Sequence, residues 1–103
     1  MIKNYGNFRP RVDATAYVAQ EACLIGNVRL EKNTSIWPGA VLRGDVDMIV
    51  VKENTNIQDG TLIHTNYMLP SVIGRNVTVG HGAIIHGSKI ADFCLIGMGG
   101  DSS

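Results

Sequence analysis

A chain of 103 residues with nine Lys and Arg, nine Asp and Glu and no net charge has room for one domain with a modest core. Hydrophobic residues make up 45% of it, as in a folded protein, and the balanced charge argues against nucleic acid as a partner. The first residues include no apolar run of the kind found in a secretory signal, and no stretch has the roughly 20 apolar residues that span a membrane. We therefore expect a single cytoplasmic domain over residues 1–103 that does not bind membranes, with Cys23 and Cys94 as reduced structural thiols.

An aliphatic residue recurs at every sixth position, while twelve glycines disfavour helices. The first run is Val12, Val18, Leu24, Leu30, Ile36, Leu42 and Met48. After a slip of three residues it resumes at Val51, Ile57 and Ile63, then, beyond the segment TNYMLPSV, at Ile73, Val79 and Ile85, and after one deletion at Ile90 and Ile96. A small or β-branched residue stands two positions before the later members, and we assign these residues, including Val46 and Cys94, to the core.

A period of six indicates a particular kind of β-structure. Helices repeat every 3.6 residues and half-buried strands every two, so neither alone explains it. Six residues suit one short strand and a corner, with the aliphatic side chain inward and the small residue at the turn. Three units form a triangular coil of about 18 residues, and successive coils stack at the roughly 4.8 Å spacing of strands. The sequence thus predicts an all-β fold, a parallel β-helix of hexapeptide repeats over about residues 12–97, whose hand the period does not determine.

The predicted prism has three faces, which we name A, B and C, and face A contains the strand of Leu42. The residue after each inward aliphatic points outward, so Arg43, His64 and His86 stack on successive coils of face A. Two imidazoles one strand spacing apart are able to share a metal ion, and three histidines with an open fourth position are typical of catalytic zinc. The alternative is that each histidine is a solvated surface residue.

Face C presents Gln58, and the corner after face C carries Asp59 and His81. A histidine at that corner does not easily reach the middle of face A of its own prism, but a neighbouring subunit packed against face A is able to supply it. Gln58 and Asp59 also have a simpler interpretation as turn residues. Arg43 and Asp45, in the string LRGD, are equally compatible with an ordinary surface ion pair.

The strings SIWPGAVLRGDV, NTNIQDGTLIHT, VTVGHGAIIHG and LIGMG, in this order, resemble the gamma-class carbonic anhydrase family of hexapeptide-repeat proteins. The likeness runs from about Val12 to Gly99. It implies a single-stranded left-handed β-helix that forms a homotrimer with metal sites between subunits. The implied ligands of one divalent ion per site are His64, His81 and His86, with zinc favoured and iron or cobalt as alternatives.

The same resemblance gives roles to the surrounding polar residues. Arg43 and Asp59 resemble the inter-subunit ion-pair residues of the family, Gln58 resembles the residue that positions the water or substrate, and Asp45 belongs to the same polar set. The best-characterised type carries glutamates that shuttle protons, whereas here a valine follows Asp45 and the segment TNYMLPSV contains no acid. The hexads stop at Ile96 and members of the family look longer, so we expect that C-terminal coils and a cap are missing.

Three functions follow as expectations. The first is a metal-dependent lyase or hydrolase, in which the three-histidine site activates water to hydrate CO2 to bicarbonate or to hydrolyse a thioester or amide. The second is a hexapeptide-repeat acyl- or acetyltransferase, which uses a histidine base between subunits and does not need three converging histidines. The third is a trimeric scaffold that keeps the fold without catalysis.

Overall fold

The computed structural model describes residues 1–97, 101 and 102, and within them it contains β-strands and turns but no helix. The strands are β1 (Ile2–Lys3), β2 (Arg11–Val12), β3 (Tyr17–Val18), β4 (Cys23–Leu30), β5 (Ser35–Ile36), β6 (Val41–Val51), β7 (Asn56–Ile57), β8 (Leu62–His64), β9 (Ser71–Ile73), β10 (Thr78–Val79), β11 (Ile84–His86), β12 (Lys89–Ile90), β13 (Leu95–Ile96) and β14 (Asp101–Ser102). Met98 and Gly99, which end the LIGMG string, lie outside the described residues. The described part of the chain has no helix of the length and apolarity that crossing a membrane requires.

Parallel pairing between strands of successive coils builds the three faces. Face C is a five-stranded sheet in the order β13, β10, β7, β5, β3. Faces A and B form one nine-stranded sheet, because β4 and β6 continue through the corner between them. The register of β4 and β6 runs from Cys23 opposite Val41 to Leu30 opposite Val51 and shifts after Gly26. The predicted hexapeptide-repeat β-helix is confirmed.

The core is the set of inward aliphatic side chains that the six-residue period predicts. These residues have at most 2% of their surface exposed and stack along each face: Leu24, Leu42, Ile63 and Ile85 on face A, Leu30, Val51 and Ile73 on face B, and Ile36, Ile57 and Val79 on face C. Small buried residues such as Ala40 and Thr61 occupy the corners. The Thr61 hydroxyl donates to the Gly80 carbonyl at 3.1 Å, so a buried polar group at a corner is satisfied by the next coil.

Two core predictions are wrong at the corner between faces A and B. Val46 is 54% exposed, and Met48, the last member of the first run, is 36% exposed. The chain leaves the repeat after Gly44 and bulges outward, and the fully buried Ile49 takes the position two residues before Val51. A bulge that contains apolar residues at the expected spacing cannot be distinguished from another coil by periodicity alone. Cys94, also assigned to the core, is partly buried against it.

Candidate metal centre

Face A brings three of the candidate site residues together. Arg43 of β6 is the register partner of His64 in β8, which is in turn the partner of His86 in β11. The rings of His64 and His86 are stacked, with centroids 3.9 Å apart and planes inclined by 19°. On the other side of His64, Nη2 of Arg43 lies 3.3 Å from Nδ1. Parallel strand pairing therefore aligns a guanidinium and two imidazoles in one column, as the repeat predicts.

The surroundings of His64 favour its neutral imidazole. Burial lowers the pKa of His64 below its ordinary value, His86 and Arg43 lower it further, and Asp45 opposes them. The neutral ring is the form that binds a metal ion. When Arg43 donates to Nδ1, the neutral ring carries its own hydrogen on Nε2, so metal ligation at either nitrogen requires this contact to rearrange. Within the described residues Arg43 forms no ion pair with Asp45 or Asp59.

Asp59 and His81 lie one coil apart at the corner between faces C and A. Each is the second residue of a four-residue turn closed by a backbone hydrogen bond of 3.3 Å, and Gly60 and Gly82 follow at φ of +68° and +69°. That left-handed conformation is one that glycine adopts at little cost. The Gly82 amide donates to the Asp59 carbonyl at 2.9 Å and joins the two turns. The side chains of Asp59 and His81 are both exposed. They lie at the edge of face A where its strands begin, whereas the Arg43–His64–His86 column lies towards the other edge.

Gln58 lies on face C, immediately before this corner. Its Nε2 is 3.4 Å from Oδ1 of Asn56, and its side chain is partly buried. Together with Ser35, Trp37, Asn56 and Asp59 it lines a shallow cavity of about 480 Å³. Gln58 therefore belongs to a polar surface next to the Asp59–His81 corner, and not to the histidine column of its own chain.

The described residues of one chain do not form a complete metal site. Among the described residues no group of three His, Cys, Asp or Glu side chains is placed to hold a metal ion. His64 and His86 provide two adjacent imidazoles, which fit half of a zinc site in donor chemistry. His81 is at the opposite edge of the face, and Oδ1 of Asp45 accepts the Val46 amide at 3.0 Å. In the described part of one chain, His81 therefore does not join the His64–His86 pair.

A second outward column on face A was missed by the sequence reasoning. It consists of Cys23, Val41, Leu62 and Ile84, which are register partners on successive strands and precede the inward residues. The first three are partly buried, and Ile84 is 40% exposed. Strand alternation turns the residue before an inward position outward as well as the one after it, and this signal was present in the sequence. A solvent-facing aliphatic column of this kind is typical of a protein contact surface.

The chain is similar to proteins named carbonic anhydrase. It is 52% identical over 96 residues to gamma carbonic anhydrase 2, mitochondrial, of Arabidopsis thaliana, an alignment that covers 87% of this chain and 34% of that protein. It is 43% identical over 81 residues to a protein of Methanocaldococcus jannaschii named probable carbonic anhydrase, covering 79% of this chain and 51% of that one. The chain thus spans about a third to a half of the length of these curated relatives. A search of protein-family models finds no match.

A solved structure of a hexapeptide-repeat protein is also similar to this chain. A hexapeptide transferase family protein from Anaplasma phagocytophilum is 37% identical and superposes with a TM-score of 0.67, covering 98% of this chain and 74% of that chain. The coiled parallel sheets, the repeat and the identities agree with one another. The chain belongs to the gamma carbonic anhydrase-like family of hexapeptide-repeat proteins.

Proposed function

We propose that this chain is the β-helix of a metal-dependent, carbonic anhydrase-like enzyme whose sites lie between the subunits of a homotrimer. The observation that carries the proposal is the stacked pair of His64 and His86 on a face that also bears Arg43. His64 and His86 of one subunit and His81 of a neighbour would hold one divalent ion. Imidazole donors suit zinc and also iron or cobalt. A bound divalent ion of this kind lowers the pKa of water towards 7 and supplies a nucleophile at neutral pH.

The surface of face A supports assembly through that face. The aliphatic column of Val41, Leu62 and Ile84 lies beside the histidines and would be covered by the neighbouring prism. Three prisms around a threefold axis give three equivalent contacts and a closed, cyclic oligomer. A neighbour that approaches across the edge nearest this column brings the corner of Asp59 and His81 to face A. Ligation of an ion by His64 would require Arg43 to give up its contact with Nδ1, and Arg43 would then be able to pair with Asp59 of the neighbour.

The polar residues of this chain would then orient the reactants. Hydration joins a water oxygen to the carbon of CO2 and yields bicarbonate and one proton. The Gln58 carboxamide both donates and accepts hydrogen bonds, so it orients the water or the substrate. Asp45 acts on the charge of His64, but its Oδ1 already accepts the Val46 amide. Because the segment TNYMLPSV contains no acid and a valine follows Asp45, we expect turnover to rise with buffer concentration.

Metal analysis and CO2 hydration on one anaerobically purified sample test this function. We expect close to one zinc, iron or cobalt ion per chain and stopped-flow hydration that increases with imidazole buffer. His86→Ala should lose the metal and keep the fold, because the His86 side chain is only partly buried and lies outside the core cluster. A wild-type protein without metal, even after incubation with zinc, would contradict the proposal. Intact metal binding without hydration or esterase activity would instead support the non-catalytic scaffold.

A hexapeptide-repeat acyltransferase is the second candidate, and the similarity to a protein named hexapeptide transferase favours it. A transferase would use one histidine as a base and would need no ion. Acetyl-CoA consumption by metal-free protein, abolished by His81→Ala but unaffected by chelators, would favour this function over the first.

A further inference from the structure

The corner between faces A and B carries an apolar surface that the proposed function does not use. We name it the apolar ridge, and its members are Tyr5, Phe8, Val46, Met48, Tyr67, Met68 and Leu69. Their exposed fractions range from 36% to 77%. They are seven of the fourteen exposed large hydrophobic residues in the described part of the chain. Single exposed apolar residues are normal on a protein surface, whereas a group of seven along one corner indicates a contact surface.

Three segments that are distant in sequence make the ridge continuous. Phe8 and Val46 line one small cavity beside the bulge. The bulge is joined to the next loop by the Asp47 amide, which donates to Oγ1 of Thr65 at 2.9 Å, while the Thr65 hydroxyl donates back to the Asp47 carbonyl at 3.2 Å. The ridge therefore runs along the prism axis from the N-terminal loop, across the bulge, to the loop of residues 66–69.

The ridge borders the Arg43–His64–His86 column directly. The bulge begins after Gly44, next to Arg43, and the loop of residues 66–69 begins two positions after His64. Leu69 packs so closely on Gly87, the residue after His86, that a Cβ built at Gly87 would lie 3.0 Å from the Leu69 Cβ. The histidine column is therefore flanked by the aliphatic column on one side and by the apolar ridge on the other.

The two loops of the ridge hold their side chains on closed turns. Tyr5 and Phe8 exchange backbone hydrogen bonds of 2.9 and 3.0 Å, and Asn66 and Leu69 exchange bonds of 3.3 and 2.9 Å. Met68 has φ of +55°, a conformation that disfavours side chains larger than glycine, although 74% of Met68 is exposed to solvent.

The two acids of the bulge each turn one carboxylate oxygen towards the backbone of the bulge. Oδ1 of Asp45 accepts the Val46 amide at 3.0 Å, and Oδ1 of Asp47 accepts the Met48 amide at 2.7 Å. The Arg43 guanidinium of the column is exposed and carries five N–H donors, so pairing with Asp59 of a neighbour would leave others for a carbonyl oxygen. Next to the candidate site there is thus an oxygen-binding cation beside a long apolar surface.

We propose that the apolar ridge binds the acyl chain of a carboxylic ester or thioester whose carbonyl group reaches the Arg43–His64–His86 column. This inference rests on the proposed function, because the site must activate water. The water oxygen bonds to the carbonyl carbon, and the bond from that carbon to the leaving oxygen or sulfur breaks with its electron pair. One proton passes to the leaving group or to solvent. CO2 has no chain to occupy the ridge, whereas each buried methylene of an acyl chain raises affinity about fourfold.

Hydrolysis of p-nitrophenyl acetate and p-nitrophenyl hexanoate by the zinc-loaded chain tests the proposal. With about two of the additional methylenes on the ridge, kcat/KM for the hexanoate should exceed that for the acetate roughly tenfold or more. Tyr67→Ser combined with Val46→Ser should remove most of that preference. Leu95→Ser, which alters a 75% exposed leucine on face C, is the matched control and should retain it. Equal kcat/KM for the two esters, or a preference that survives in the double variant, would overturn the proposal.

A binding measurement without turnover separates failure of the ridge from failure of the site. Met48 and Met68 are on the ridge, so their ¹³C-labelled methyl resonances should shift when hexanoate, but not acetate, is added to metal-free protein. Those shifts without ester hydrolysis would support the ridge and count against the proposed function. Acetate hydrolysis without chain-length preference or methyl shifts would support the function and overturn the ridge. Shifts that depend on protein concentration alone would also overturn it, since a second copy would then cover the surface.

Discussion

His64 and His86 are register partners on adjacent coils, and their rings stack 3.9 Å apart. Two imidazolium ions would repel at this distance, so the arrangement favours at least one neutral ring. The same pairing positions both imidazole rings on one surface of the prism, where a partner subunit would be able to complete the site. The chemistry and the assembly proposed for this chain both begin from this pair.

The lowered pKa of His64 predicts a pH dependence of stability. Burial is the main cause, so the unfolded chain takes up a proton at a higher pH than the folded chain does. The contribution of neutral His64 to the free energy of unfolding is therefore complete above the ordinary histidine pKa of about 6.5. It is lost as the pH falls below that value. The urea midpoint of metal-free protein should decrease as the pH is lowered from about 7.5 to 5.5. His64→Gln should make this decrease smaller. His81→Gln, at the exposed corner, is the control, and an equal effect of both variants would contradict the prediction.

One corner of the prism contains a conformationally strained phenylalanine. Asn33, Asn54 and Asn76 adopt φ of 56°, 61° and 55° at equivalent positions of successive coils, and Phe93 follows at 60°. Asparagine tolerates this left-handed region much better than a bulky residue does. Because Phe93 is 76% exposed, its replacement loses little packing. Phe93→Asn should raise the free energy of unfolding by about 1 kcal/mol in urea titration, and Asn54→Phe should lower it. A destabilising Phe93→Asn would show that the ring makes a contact that its exposure does not reveal.

Gly44, in the LRGD string, is required by close approach of two coils. A Cβ at this position would lie 2.4 Å from the carbonyl oxygen of Asn27, so the backbone would have to move. Gly44→Ala should therefore lower the free energy of unfolding by about 2–3 kcal/mol. Gly97→Ala is the control, because no described atom lies within 4 Å of its added Cβ, and it should change stability by less than about 0.5 kcal/mol. Similar values for the two variants would show that the coils separate easily at this corner.

Arg43→Ala should weaken trimerisation and metal retention together. Arg43 is exposed in the single chain and forms no ion pair with Asp59 there, so its proposed partner is Asp59 of a neighbour. Sedimentation velocity and metal analysis at low and high salt would measure both effects. A trimer that is insensitive to salt and keeps its metal in the variant would identify Arg43 as an ordinary surface charge.

The period of six predicts the inward ladder from Leu24 to Ile85, because one buried residue per coil face leaves a direct mark in the sequence. It fails for Val46 and Met48, since apolar residues in a bulge imitate another coil. The stacking of His64 over His86 follows from the register alone and was predictable. The corner position of His81, away from that pair in its own prism, was also predictable, but the six-residue repeat of one chain carries no information on whether a neighbouring chain brings His81 to the pair.

Complementation between two inactive variants tests the shared site most directly. His64→Ala removes a ligand from face A, and His81→Ala removes one from the corner of the neighbour, so each alone should lose the metal. After unfolding, mixing in equal amounts and reassembly, about three-quarters of the trimers are mixed, and each of these has one intact junction in three. Metal content should therefore recover to about one-quarter of wild type. His64→Ala mixed with His86→Ala should recover nothing, because both defects lie on one face. No recovery in the first mixture, or recovery in the second, would contradict a site built between subunits.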